Sequence, residues 1–438
     1  MGSNPTPGAI SVKASYRSLT VASFIFCKLK VYVLANRFNL DGFNCGVLIA
    51  KVGDCMFDRL VMLPGPTNVP ERVLRAMVRS MMDHRGVDFH EIYSRIEENL
   101  KYVFQTENDV FVLSASGTGG VECAVSNIVN RGEKVIVPVY GVFSKRLAEI
   151  VKRRGGVPVE VELPFGSAPK PQHIVDVIEK EEDAKAVFIV YNETSTGVVV
   201  RELPKIAKTV KDKDMLTVVD AVSVLGGDEL LVDKWKIDVC VAGSQKCLAC
   251  PPGLSLISVS NDAWEKIMET ENKPLYFDLT LMKEYGASKE TPFTPAIPLF
   301  YALSEALEMM REEGLEKSIE RHRRCANAFY NAIEAFGMST FPKEKENRSN
   351  TVIAVNVPEN VNESLVRNIM QDKYKVVIAG GMGRLKGKIF RIGSMGKVTL
   401  AEVVTTLNAF GNALKETGYN VNIEVGIEAA IKTFSQPF

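Results

Sequence analysis

Ile237-Asp238-Val239-Cys240-Val241-Ala242-Gly243-Ser244-Gln245-Lys246 is the stretch on which the reading of this chain turns. A strand-like apolar run, Ile237–Val241, gives way to small residues and then to a lysine. At the mouth of a buried strand a lysine is partly desolvated, so its amine loses its proton more easily and can attack a carbonyl. Upstream, Leu216-Thr217-Val218-Val219-Asp220 ends a second strand-like run on a carboxylate. Taken alone, a strand-end lysine is more often a solvated loop residue, and the companions of Lys246 must decide.

Working outward, short apolar runs recur at Val110–Leu113, Lys134–Val139, Ala186–Val190 and Ser255–Ser258. Helical stretches separate them at Gly120–Val129, Ser144–Arg154, Pro171–Glu181 and Leu203–Lys211. Strands alternating with helices predict an α/β fold, a mostly parallel central sheet covered by helices on both faces. Ligands of such sheets bind beyond the carboxyl ends of the strands, where the glycine and polar motifs of this chain fall. From about Glu312 the texture changes. A charged helix, Leu315–Phe336, leads to strand-like Ser349–Val357, then to Glu363–Asp372, Tyr374–Ile378, Ile389–Ile392 and a helix over Leu400–Thr417. The expectation is a large domain over 56–311 and a smaller α+β domain over 312–438, with no internal repeat.

Bulk properties narrow the function classes. The chain has 438 residues, 46% hydrophobic and 24% charged, with 53 basic and 53 acidic side chains. Zero formal net charge argues against nucleic acid or an anionic membrane as the main partner. No apolar run reaches the length of a membrane span. Eight scattered cysteines suit a reducing compartment, so a cytoplasmic location is expected. Cys247-x-x-Cys250 has no histidine nearby (the four are His84, His90, His173 and His322), so no metal site is expected. Residues 1–55 differ from the rest. They carry Lys13, Arg17, Lys28, Lys30, Arg37 and Lys51 against Asp41 and Asp54. Such a basic leader fits an organellar presequence, but the preferred reading is an upstream-extended or non-native start, poorly ordered, before a natural beginning at Met56.

Three further motifs lie where a sheet-edge site would be. Ser114-Ala115-Ser116-Gly117-Thr118-Gly119-Gly120 follows a strand and opens a helix, which makes it a phosphate cup or, more plainly, a glycine-rich turn with a helix cap. It has neither Walker nor dinucleotide spacing. Phe143 follows the strand ending at Val139 and could stack on a flat ring or fill core. Asn192-Glu193-Thr194-Ser195-Thr196-Gly197 brings short hydroxyls to the same edge. A lysine and an aspartate at neighbouring strand ends are the pair a pyridoxal phosphate ring requires, one for its carbonyl carbon and one for its ring nitrogen.

In this order, the motifs SGTG, NETSTG, VVDAVS and GSQK, with Leu63-Pro64-Gly65-Pro66-Thr67 before them and Phe390-Arg391-Ile392-Gly393 after, resemble the class V aminotransferases, nearest the alanine–glyoxylate/serine–pyruvate branch. The likeness runs from about Leu60 to about Thr417. It implies the fold type I architecture of pyridoxal 5'-phosphate enzymes and a homodimer with the active site at its interface. It also implies Lys246 as the Schiff-base lysine and proton shuttle, and Asp220 as partner of the ring nitrogen. Ser116, Gly117 and Thr118 would contact the phosphate, helped by Gln245. Phe143 would stack where relatives carry tryptophan, and Thr194 would lie near the ring hydroxyl. Gly65 would line the substrate side, and Arg391 would clamp the substrate α-carboxylate. Thr294, in Thr291-Pro292-Phe293-Thr294-Pro295-Ala296, stands where a partner subunit would reach the phosphate, though that stretch departs from the family pattern.

The resemblance implies a ping-pong transaminase. One arginine for one carboxylate points to serine or alanine as donor and to glyoxylate or pyruvate as acceptor, with Arg85 and Arg384 as hidden candidates for a second carboxylate. The rivals are a class V transaminase for aspartate, phosphoserine or aminoethylphosphonate, a cysteine desulfurase, and a non-catalytic binding protein that keeps the fold.

Overall fold

The computed structural model describes residues 59–435. The leader expected over 1–55 lies outside the described residues. Seven strands form the main sheet: β1 (Asp109–Leu113), β2 (Lys134–Val139), β3 (Val157–Glu162), β4 (Ala186–Val190), β5 (Leu216–Asp220), β6 (Val239–Gly243) and β7 (Ser255–Val259). Their spatial order is β1-β7-β6-β5-β4-β2-β3. Strands β6 to β3 run parallel, and β7 is antiparallel to both its neighbours. The alternating arrangement read from the apolar runs is therefore present. β3 was missed because Val157-Pro158-Val159-Glu160-Val161-Glu162, at the sheet edge, alternates with charge instead of forming an apolar run.

Alternation along each strand splits the core in two. Ile136, Ile189, Val219 and Ala242 pack on one face; Val135, Val137, Phe188, Val218 and Val241 pack on the other. Full burial of each of the larger side chains here is worth roughly 1.5–3 kcal/mol, so both faces need helical cover. Helix α1 (Val87–Phe104), α2 (Gly117–Ile128), α3 (Val142–Arg154) and α4 (Ile297–Glu313) supply part of it. On α1, Phe89, Ile92, Tyr93, Ile96, Leu100 and Val103 recur at helical spacing and are buried.

The C-terminal part has its own core. Strands β8 (Val352–Asn356), β9 (Ala379–Gly380) and β10 (Ile389–Gly393) form an antiparallel sheet in the order β8-β10-β9. Helix α5 (Leu315–Ala335) and the helices Leu400–Glu416 and Ile423–Ser435 cover it around Phe329, Phe390 and Phe410. Gly314, with φ of +89°, separates α4 from α5. Leu60–Val61 pairs with Val376–Val377, and Met62 packs into this C-terminal core. Strand alternation sends Phe390 and Ile392 inward and turns Arg391 to the opposite face, and that decides what the arginine can reach.

Candidate functional site

The carboxyl ends of β1, β2, β4, β5 and β6 lie along one edge of the sheet, and the segments leaving them enclose a cavity of about 180 Å³. Its lining includes Ser116, Gly117, Thr118, Phe143, Thr194, Asp220, Gln245 and Lys246, eight residues singled out from sequence. Register explains the convergence. Asp220 pairs with Val190 of β4 on one side and with Val241 of β6 on the other. Lys246 follows the end of β6 by three residues.

The turn bearing the lysine is tied down from several sides. Ser244 Oγ donates to the Pro251 carbonyl at 2.7 Å, and the Cys250 amide donates to the Ser244 carbonyl at 3.1 Å. Thr67 Oγ1 and the Ala249 amide donate to the Lys246 carbonyl at 3.3 and 2.9 Å. Lys246 Nζ itself donates to the Pro64 carbonyl. Burial pulls its pKa down to about 8, against the opposing pull of Asp220. Burial likewise pushes Asp220 up to about 6, opposed by the Val222 amide, which donates to Oδ1 at 2.9 Å. An amine that can shed its proton and a carboxylate that can hold one thus share a cavity.

Helix α2 opens at the third corner. Ser116 caps it, its Oγ accepting from the Gly119 amide at 3.3 Å, while the Gly117 and Thr118 amides have no acceptor among the described residues. Free N–H groups at a helix N-terminus suit an anion. A Cβ on Gly117 would lie 2.8 Å from Val222, so only glycine lets this backbone come so close. Gln245 Oε1 and Asn192 Oδ1 are buried without a donor among the described residues, and both residues line the cavity. Anion-binding amides, a buried carboxylate, a reactive amine and two acceptors in want of donors match the needs of a phosphorylated pyridine aldehyde.

Arg391 stands just outside the lining. Its Nε donates to the Gly380 carbonyl at 2.8 Å and its Nη1 to the carbonyl of Thr194, a lining residue, at 3.1 Å. It is 8% exposed, and burial lowers its pKa to about 10, so it stays charged at neutral pH. Gly65 packs directly against the Lys246 side chain. Thr294 is not brought to the cavity; it is exposed, beside an exposed ring pair, Tyr276 stacked on Phe293 at 5.4 Å. The two hidden arginines are engaged elsewhere. Arg85 pairs with Glu290 at 2.5 Å, and Arg384 stacks on Phe165. Among the described residues no group of side chains could hold a metal ion.

Sequence reasoning missed two participants. Glu193, fully buried, accepts from the amides of Phe143, Ser144 and Ser195 at 2.8–3.2 Å and so anchors the first turn of α3. Nothing local marks its hold on α3, because the Phe143 and Ser144 amides are about 50 residues away in the chain. Arg146 lines the cavity one helical turn after Phe143, and this i,i+3 spacing was a readable signal.

Residues 63–387 match the model of the aminotransferase class-V family. The chain belongs to the class V aminotransferases. It is 45% identical to an uncharacterized aminotransferase of Methanocaldococcus jannaschii over 85% of this chain and 96% of that one. It is 35% identical to the serine–glyoxylate aminotransferase of Methylorubrum extorquens, over 84% of this chain and 94% of the relative. The crystal structure of ureidoglycine–glyoxylate aminotransferase from Bacillus subtilis superposes with a TM-score of 0.83 at 30% identity, covering 88% of this chain and all of that one. The class V aminotransferase is therefore an enzyme with the α/β fold and mostly parallel central sheet of its structural neighbours.

Proposed function

We propose that this aminotransferase uses pyridoxal 5'-phosphate to move an amino group from a small amino acid, serine or alanine, to a small 2-oxo acid, glyoxylate or pyruvate, by a ping-pong route. The observation that carries the reading is the joint placement of Lys246, Asp220 and the mouth of α2 around one cavity, with Arg391 bonded to its wall. When bound, pyridoxal 5'-phosphate supplies an aldehyde and an electron-withdrawing ring. The Ser116, Gly117 and Thr118 segment would hold its phosphate, assisted by Gln245, with Phe143 and Thr194 beside its ring and hydroxyl and Asp220 as the carboxylate that would keep its nitrogen protonated. Lys246 Nζ, whose pKa burial lowers to about 8, is the base that would take the proton from the substrate α-carbon and deliver it to the carbon that the cofactor's aldehyde supplies. Arg391 would pair with the substrate α-carboxylate, and Gly65, having no side chain, lets Lys246 lie against the backbone on the substrate side.

Arg85 and Arg384 are engaged elsewhere, so neither is on offer for a distal carboxylate, which favours an uncharged donor over aspartate or phosphoserine. Cysteine desulfuration fits poorly. Cys247 is buried with its thiol pushed up to about 12, and Cys250 is buried with its thiol pushed higher still. The exposed Leu275, Tyr276, Phe293 and Thr294 favour a homodimer closing over the cavity rim, where the Tyr276 hydroxyl donates to the Ser114 carbonyl at 3.1 Å. We place the enzyme in the cytoplasm, in line with the free, buried cysteines among the described residues.

The deciding experiment mixes the yellow holoenzyme with single amino acids and follows bleaching of its absorbance. Serine or alanine should bleach it, and glyoxylate or pyruvate should restore it. Bleaching by aspartate or phosphoserine alone would overturn the donor assignment.

A further inference from the structure

Two cations line the cavity, Lys246 and Arg146. Lys246 sits at the end shared with Asp220 and Pro64. Arg146 sits beside the mouth of α2, where its Nη1 donates to Thr118 Oγ1 at 3.3 Å and its guanidinium carbon lies 4.8 Å from the centroid of the Phe143 ring. We propose that Arg146 is a phosphate-binding residue of this site, its guanidinium completing the anion cup formed by Ser116, Gly117 and Thr118. The inference rests on the cofactor reading above and deepens it by naming the group that neutralises the phosphate.

Charge balance is the first argument. A phosphate monoester carries about −1.5 to −2 at neutral pH, and a helix N-terminus offers the equivalent of roughly +0.5. Gln245 and the hydroxyls add dipoles but no charge. Of the two cations in the lining, Arg146 is the one bonded to the cup, and a guanidinium can present two parallel N–H groups to phosphate oxygens.

Availability is the second. Neighbours on the same helix are spent on carboxylates: Lys145 reaches Glu160 at 2.5 Å and Arg153 reaches Glu149 at 2.7 Å. No carboxylate among the described residues pairs with Arg146, whose polar contact is a hydroxyl of the cup itself. Exchanging that hydroxyl for phosphate oxygens replaces a neutral acceptor with a charged one, so the guanidinium gains by the move.

Placement is the third. Arg146 lies in the first turns of α3, which Glu193 pins through the Phe143 and Ser144 amides. The side chain is exposed, yet it projects from a fixed backbone and rests along Phe143, so its reach toward Thr118 is set by the fold.

The test compares wild type, Arg146→Gln and Arg146→Lys, reading by absorbance the affinity of each apoprotein for pyridoxal 5'-phosphate and for pyridoxal, which lacks the phosphate. It also reads competition by inorganic phosphate. Arg146→Gln should weaken pyridoxal 5'-phosphate by about tenfold or more, the size of a lost charge-assisted hydrogen bond. Pyridoxal affinity should stay within about twofold and competition by inorganic phosphate should weaken in parallel, while Arg146→Lys should recover most of the loss. Equal weakening of both ligands, or of neither, would overturn the inference while leaving the functional reading intact. A wild-type chain that takes up no pyridoxal 5'-phosphate would overturn that reading and this inference together.

Discussion

Gly65 lies against Lys246 with no room for a methyl group between them. A Cβ at position 65 would overlap Cδ, Cε and Nζ of the lysine, and φ at Gly65 is +90°, a conformation that L side chains rarely adopt. The Pro64-Gly65 segment thus accepts the amine's hydrogen bond and, with no side chain at position 65, lets the lysine lie against the backbone.

Gly65→Ala should accordingly lower kcat/KM for the amino donor by at least about 100-fold, the equivalent of some 2.7 kcal/mol of barrier. Steady-state kinetics beside a thermal melt would check this. A variant that keeps most of its activity would show that the lysine does not work from this position.

Lys246→Ala should yield a protein that stays colourless with pyridoxal 5'-phosphate and turns over at least about 10³-fold more slowly, within the range that general acid–base groups contribute. Absorbance spectra and turnover with serine and glyoxylate measure the two effects separately. Retention of the yellow band after this change would remove the assignment.

Arg391→Gln should act mainly on substrate binding. Losing a charge-assisted pair of roughly 1.5–3 kcal/mol raises KM for amino donors about tenfold to 100-fold. Simple amines without a carboxylate should be affected far less, so the ratio of the two kcat/KM values is the diagnostic. An unchanged ratio would place the carboxylate elsewhere.

His322 makes a prediction about acid stability. It is completely buried on α5; its ring accepts from the Gly396 amide at 3.0 Å and bonds to the Ser318 carbonyl at 2.7 Å. Burial and then the Arg321 charge beside it lower its pKa to about 4. The unfolded histidine binds its proton near 6.5, so between 6.5 and 4 the unfolded chain holds more protons than the folded one. The stability from keeping His322 neutral is complete above about pH 6.5. It is lost as the pH falls toward 4, by about 3 kcal/mol for this group alone. Thermal melts from pH 7 to 4.5 should decline more steeply for wild type than for His322→Gln, which keeps an acceptor but cannot charge. Parallel declines would refute the assignment.

Several elements were legible because their information is local. The apolar runs at 134–139, 186–190 and 216–220 are strands with those same bounds, and Leu203–Lys211 and Glu363–Asp372 are helices as read. Lys246 was read as following a strand over 237–241; the strand instead spans Val239–Gly243, which shortens the approach to the amine. Helices α1 and α4 went unread although their buried faces recur at helical spacing, and they supply cover for the main sheet.

By itself the sequence determined which chemistries were present and that they would gather at strand ends, because alternating strands and helices leave a parallel sheet few other arrangements. It also determined that Arg391 would face away from Phe390 and Ile392, since side chains along a strand alternate. Only the tertiary structure decided which of these groups meet. That Asp220 lies between Val190 and Val241, that Arg391 reaches the Thr194 carbonyl from a separate sheet, that Glu193 anchors the turn carrying Phe143, and that Arg146 rather than Arg85 or Arg384 borders the cavity all depend on contacts between residues far apart in the chain. Such contacts leave no periodicity or local motif behind, because they are chosen by packing that becomes specific only when the whole fold has formed.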